Sequence, residues 1–312
     1  MRRSESRYPS DGTSGQGDVL ATWAVWVVLL GVMAVTYARL DPAELYNVSG
    51  DGLAGAMSRV LVELNYPIAL VAIGIVLLAL DGLAARWWLV GSVAVALCAV
   101  TAWPGVVDDT DLDARPVNAI PAVGVVLALV LTAVAVDKSG RSLAPRRPLD
   151  RGRLMVAAVM LALSVPWLAA DLGFHVPEGV FIAERPVPRP DGTVLPAVHL
   201  GHHHGLDGAL LAISALLLSR PRLRSPTLAT LAGLYSSLMF AYGLVNAGQD
   251  FWNEQLQKRG WIDRSIPSAV EPSLSLIWLV ILALSAATYL VIRWESTRIG
   301  QHPPARRVAI PI

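Results

Sequence analysis

Charged residues are scarce in this chain. They make up 16% of its 312 residues, against roughly 25% in a soluble globular domain. With 54% hydrophobic residues, the deficit excludes an ordinary soluble fold and makes lipid the main solvent. Cysteine is nearly absent too. Cys98 stands alone inside an apolar run, which excludes an intramolecular disulfide. Lysine is reduced to Lys138 and Lys258 beside 23 arginines, and with abundant Ala, Val and Leu this points to a GC-rich bacterial genome. There is no glycine-rich nucleotide-binding loop, no Ser or Cys nucleophile motif, and no basic-aromatic surface for nucleic acid. No internal repeat and no separate soluble domain is visible.

What is present is a series of apolar runs. A bilayer core takes about 20 mostly apolar helical residues. The runs Val19–Leu40, Arg59–Leu80, Ala85–Trp103, Pro116–Val136, Leu154–Phe174, Val198–Ser219, Pro226–Ala247 and Pro272–Trp294 meet or approach that length. The expected fold is all-α, a polytopic transmembrane helical bundle of about eight spans over residues 19–294. A polar tail, 1–18, is expected to be disordered, and a second tail covers 295–312. The first run ends without a small-residue cleavage site and is expected to stay as a signal anchor.

Orientation follows from Lys and Arg in the loops. With the N-terminus in the cytoplasm, the inner segments hold 17 basic and 7 acidic residues, a net +10. The outer segments hold 8 basic and 17 acidic residues, a net −9. Both termini are then cytoplasmic, in a bacterial inner (plasma) membrane. Trp87, Trp88 and Trp294 fall at the inner boundary, and Trp103, Trp252 and Trp261 at or beyond the outer one, as an aromatic belt would. The inner loops 137–153 and 219–225 are short and basic, suited to anchoring and to contact with anionic membrane lipids. The outer loop 174–197 is the longest. There Phe181–Arg185 and Thr193–Leu195 are expected to pair as a hairpin around the turn signal Pro190-Asp191-Gly192-Thr193.

Four of the six histidines stand in one segment, His199-Leu200-Gly201-His202-His203-His204-Gly205-Leu206-Asp207-Gly208. Continued outward from Ser219 as a helix, span 6 reaches His199. His199, His202, His203 and Asp207 then share one face at i, i+3 and i, i+4 spacing. Gly201, Gly205, Gly208 and Ala212 line the opposite face, where a neighbouring helix can approach closely. Imidazoles beside a carboxylate suit a divalent transition metal such as zinc. The His-x-x-His-His spacing resembles one box of the membrane fatty-acid hydroxylases and desaturases. That resemblance covers five residues, and such enzymes need several cytoplasmic boxes. Here only His175 and His302 remain, and the cluster is outward, so the assignment is rejected. Membrane metallohydrolases of the ceramidase and adiponectin-receptor type are similar in logic, without a motif that aligns.

Other polar residues are expected at the same end. Asp108, Asp109, Asp111 and Asp113 follow span 3, with Asp113 expected to cap the helix that begins near Pro116. Span 7 carries a stripe of Tyr235, Tyr242, Asn246, Gln249, Asp250 and Asn253 that ends near Glu254, as a cavity lining would. Asp171 and Glu63 are carboxylates inside the membrane boundary. In a metal-dependent enzyme acting on a lipid or lipid-linked substrate, His199, His202, His203 and Asp207 hold the metal. Asp171 or Asp250 acts as general base or further ligand. Tyr242, Asn246, Gln249, Asn253 and Glu254 line the substrate site, and Arg115 meets an anionic headgroup. The competing readings are a transporter or channel for a small solute, proton or metal ion, and a non-catalytic assembly factor or sensor.

Overall fold

The computed structural model describes residues 16–301 except 46–47, 109–110, 175–178, 184, 189–191 and 193. Residues 1–15 and 302–312 of the expected tails, and with them His302, lie outside the described residues, as do His175 and Asp109. The described chain is mostly helical: α1 (Gln16–Arg39), α2 (Gly52–Asn65), α3 (Ile68–Asp81), α4 (Arg86–Ala99), α5 (Ala119–Ser139), α6 (Asp150–Leu163), α7 (Val165–Asp171), α8 (His204–Leu218), α9 (Pro226–Asp250) and α10 (Leu276–Gln301). An all-α fold is what the apolar runs call for, because in lipid a helix satisfies its own backbone.

Four helical stretches are long and apolar enough to cross a membrane alone: Gln16–Arg39, Pro116–Ser139, Pro226–Gln257 and Leu276–Arg298. Two bent pairs raise the number to six if each is one span. The α2–α3 pair bends by 46° and α6–α7 by 51°. Pro67 and Pro166 stand at these breaks, each removing a backbone donor. Two shorter apolar helices, Arg86–Ala102 and His204–Leu218, lie within the remaining runs but fall short of spanning length. These helices suggest a membrane-embedded protein.

The burial pattern is that of a bundle in lipid. α3 lies at the centre, with Ile68, Val71, Ala72, Ile75, Val76 and Ala79 almost wholly buried, and α8 is buried almost as fully. By contrast α1, α5 and α10 expose large apolar side chains such as Val28, Val126 and Leu279. Exposed apolar area on that scale is rare in a soluble monomer. Close helix approach rests on small residues. A Cβ at Gly208 would stand 2.6 Å from the Ala247 amide nitrogen and 2.7 Å from the Gly243 carbonyl oxygen. A Cβ at Gly243 would meet the Gly208 carbonyl oxygen at 2.5 Å. The glycine of α8 therefore packs against α9 backbone to backbone.

One end of the bundle is tied by ions. Asp18, expected in the tail, is wholly buried in the first turn of α1. It pairs with Arg220, just past α8, and accepts the Ala144 amide at 2.7 Å. Glu295 near the end of α10 accepts from Arg153 at 2.5 Å and from the Leu149 amide at 3.0 Å. Asp150 accepts from Arg153 at 3.1 Å and from Arg220 at 3.3 Å. Burial pushes Arg147 down to about 10, opposed by Glu295, so it stays cationic at neutral pH. The start of α1, the start of α6 and the ends of α8 and α10 thus meet at one end.

Three expectations need correction. His199–His203 are not helical. Gly201 adopts φ +93°, its amide donates to the Ala170 carbonyl at 3.0 Å, and Leu200 bridges Leu45. These partners outside a helix hold the backbone extended, so α8 begins only at His204. The hairpin pairs β1 (Pro186–Pro188) with β2 (Val194–Pro196), later in the chain than expected. Ala197 N–H to Arg185 O (2.7 Å) and Ala183 N–H to Val198 O (3.2 Å) extend it back. Of its turn signal only Gly192 is described. Asp113 does not cap the helix at Pro116. It accepts from the amide (3.0 Å) and hydroxyl of Ser49, while Asn118 Oδ1 takes the Arg115 amide at 2.6 Å.

Candidate metal centre

The site forms where α2, the end of α7, and the extended segment running into α8 meet. α2 brings Arg59 and Glu63, one turn apart and joined at 2.8 Å. α7 ends on Asp171. The extended segment brings His202, whose amide donates to the Tyr37 hydroxyl at 3.0 Å. The first turn of α8 brings Asp207. All five side chains are at most 4% exposed, so water does little to screen them.

His202 is the hub. Its Nε2 stands 2.6 Å from Asp207 Oδ1 and 3.7 Å from Glu63 Oε1, and its Nδ1 stands 3.5 Å from Asp171 Oδ1. One imidazole nitrogen faces two carboxylates while the other faces a third. A histidine that binds a metal is ordinarily oriented this way, its second nitrogen turned to a carboxylate. Ligand atoms of Glu63, His202 and Asp207 all lie within 4.8 Å of one another. Bond lengths of about 2.0–2.2 Å put two ligands of one tetrahedral ion roughly 3.4 Å apart. The Glu63 distance fits that, and the His202–Asp207 contact would open slightly. Glu63 Oε2, both Asp171 oxygens and His202 Nδ1 are buried without a hydrogen-bond partner among the described residues. A donor set of one nitrogen and carboxylate oxygens suits a divalent transition metal. Three carboxylates against one guanidinium also leave an excess of negative charge, which a buried site must offset with a cation or protons.

One cavity adjoins the group and a second lies on the far side of Tyr66. A narrow cleft of about 20 Å³, room for one water, is lined by Glu63, Asp207, Arg59, Tyr66, Asp108 and Arg115 among others. A larger cavity of about 320 Å³ is largely apolar and includes Ile73, Trp103, Leu238, Met239 and Trp278 in its wall. Tyr66 borders both. Asn246 donates to the Tyr66 hydroxyl at 2.9 Å, and the Tyr242 hydroxyl donates to Val270 O at 2.9 Å. The 2.7 Å contact between the two tyrosines therefore has Tyr66 as donor.

The remaining expected site residues are placed as follows. His199 and His203 stand apart from the group: their rings stack at 4.5 Å, with His199 Nδ1 2.6 Å from Leu200 O and His203 Nε2 3.1 Å from His199 O. The reason is the extended backbone, which breaks the helical face that would have aligned all three imidazoles. Asp250 accepts the Gly205 amide at 2.6 Å and so holds the start of α8. After Asp250 the chain continues as a π-helix, Phe251–Gln257, which shifts the register of the stripe. Asn253 clamps the backbone of Ile266 through both N–H and C=O, at 2.9 and 2.8 Å, and Glu254 pairs with Lys258. Gln249 is half-buried on α9. Arg115 donates to Val106 O at 2.9 Å and lies 3.5 Å from Asp108. Glu63 is the member of the group that the histidine spacing did not reveal. Its signal was an acid one turn from Arg59 inside an apolar span. Compared with family models, curated proteins and solved structures, the chain matches none.

Proposed function

We propose that this chain is an eight-span protein of a bacterial plasma membrane, with both termini cytoplasmic. Glu63, His202 and Asp207 hold a divalent transition metal such as zinc, and the centre serves an enzyme acting on a lipid or lipid-linked substrate. The observation that carries the reading is the buried group itself: three carboxylates and an imidazole, converging from three parts of the chain, with Tyr66 between them and an apolar cavity. Such a metal would lower the pKa of a bound water toward 7 and supply a nucleophile. Arg59 holds Glu63 in place. Asp171 orients His202, and Asp250 steadies the helix start that carries Asp207. The 320 Å³ cavity takes the apolar part of the substrate, with Tyr66, Tyr242 and Asn246 between it and the metal, and Arg115 meets an anionic headgroup.

A through-path for a solute has less support. From the group toward the ion-tied end, α1, α3, α5, α8 and α9 offer no acid, base or histidine until Asp18, Asp81, Asp137, Lys138 and Arg220. Metal analysis of the detergent-purified protein decides the central point. The wild type is expected to bind one zinc equivalent, and the Glu63→Gln, Asp207→Asn double variant none. Wild-type protein that takes up no stoichiometric divalent metal, as purified or after incubation, sinks the proposal. Single-cysteine labelling in a Cys98→Ser background tests the crossings: Trp261→Cys reacts from outside and Ser142→Cys from inside.

A further inference from the structure

A second site is visible at the opposite, arginine-rich end, and it does not depend on the metal centre. A groove of about 730 Å³ runs between α6 and α8. Its rim carries Arg146, Arg147, Arg151, Arg153 and Arg220, with Asp150 as the carboxylate among them. Asp150 is taken by Arg153 and Arg220. Glu295 and Asp18, behind the rim, accept from Arg153 and Arg220 in turn. The side chains of Arg146 and Arg151 are exposed and make no ion pair or hydrogen bond among the described residues. Arg147 is buried; it lies 3.9 Å from Glu295 and donates to Ser219 O at 3.4 Å, while its Nε is unpartnered. The rim therefore keeps two unpaired guanidiniums, Arg146 and Arg151, and an unpartnered Nε–H on Arg147 around one hollow. Its floor is apolar, formed by Leu154, Ala157, Ile213, Leu216 and Leu217.

We propose that this groove binds an anionic phospholipid, the phosphate against Arg146, Arg147 and Arg151 and an acyl chain along the floor. The chemistry fits because guanidinium groups bind phosphate through forked hydrogen bonds. Basic pockets between helices on the cytoplasmic side are suited to such headgroups. The positive-inside bias accounts for arginines at this end, but not for a hollow with an apolar floor between them. That floor is also why the occupant is a lipid and not free phosphate.

The test uses the full-length solubilised protein, with bound lipid counted by native mass spectrometry during titration with phosphatidylglycerol or phosphatidylcholine. Phosphatidylglycerol is expected to bind preferentially. The Arg146→Gln, Arg151→Gln variant is expected to weaken it roughly thirty-fold, at about 1 kcal/mol for each basic residue near the headgroup. Lys138→Gln, Arg141→Gln removes the same charge from exposed positions outside the groove and is expected to change binding less than threefold. Ala157→Trp fills the floor without changing charge and is expected to weaken binding as well. Three results overturn the proposal. They are equal binding of the two lipids, equal loss in both charge variants, or displacement of the lipid by equimolar inorganic phosphate.

Discussion

Replacing Gly208 by alanine puts a methyl group 2.6 Å from the Ala247 nitrogen and 2.7 Å from the Gly243 oxygen. Ordinary contact begins near 3.4 Å, so α8 and α9 must part by roughly 0.7–0.8 Å. Both obstacles are backbone, and no rotamer change relieves them. Overpacking of this kind costs about 1–3 kcal/mol. Alanine in place of a helical glycine returns at most about 1 kcal/mol. The net expectation is a loss of up to about 2 kcal/mol. Gly248→Ala supplies the control, because a Cβ there meets nothing within 4 Å. It collects the helix-propensity gain alone, so it is expected to be neutral or stabilising. Reversible unfolding in mixed micelles gives the stability difference, and zinc titration gives the second readout. Asp207 precedes Gly208, and Asp250 follows the α9 face that moves, so Gly208→Ala is expected to weaken metal binding while Gly248→Ala leaves it alone. A Gly208→Ala protein as stable as Gly248→Ala, with unchanged zinc affinity, would refute the close-packing argument.

Two further outcomes follow from the same geometry. Asp171→Asn is expected to lower zinc affinity about 10–100-fold while one equivalent still binds at saturation, because Asp171 faces His202 and is not one of the three ligands. Loss of stoichiometry in that variant, measured by isothermal titration, would make Asp171 a ligand instead. Glu295→Gln is expected to destabilise by about 3–5 kcal/mol, since it removes the ion-pair partner of buried Arg147 and leaves Arg153 with Asp150 alone. A shift in the micellar unfolding midpoint too small for 1 kcal/mol would show that the ion cluster does not hold α10.

The helices were legible because lipid leaves the sequence few options. A run of apolar residues without charge reads directly as helix, and the proline breaks within α2–α3 and α6–α7 stand in the sequence as Pro67 and Pro166. The close glycine face was legible too, through Gly205 and Gly208. The histidine segment was misread at its backbone. Periodicity assumes that a helix continues, and nothing local to His199–His203 announces that Gly201 turns left-handed or that Ala170 and Leu45 supply outside partners. The metal group was half legible for a related reason. His202 and Asp207 stand close in sequence, whereas Glu63 lies 144 positions before Asp207, and only the packing of α2 beside α8 joins them. The shift of the span 7 stripe came from the π-helix after Asp250, whose extra residue per turn no apolar pattern records.

The Arg59–Glu63 pair has a meaning in time as well as in space. At a synthesis rate of about 5–20 residues per second, Asp207 leaves the ribosome roughly 7–29 s after Glu63. Through that interval α2 has neither His202 nor Asp207 to receive its carboxylate. Arg59, one turn away on the same helix, needs no later segment to be in place. In a bilayer this pairing would keep a helix that carries a buried acid net neutral until the rest of its site is made.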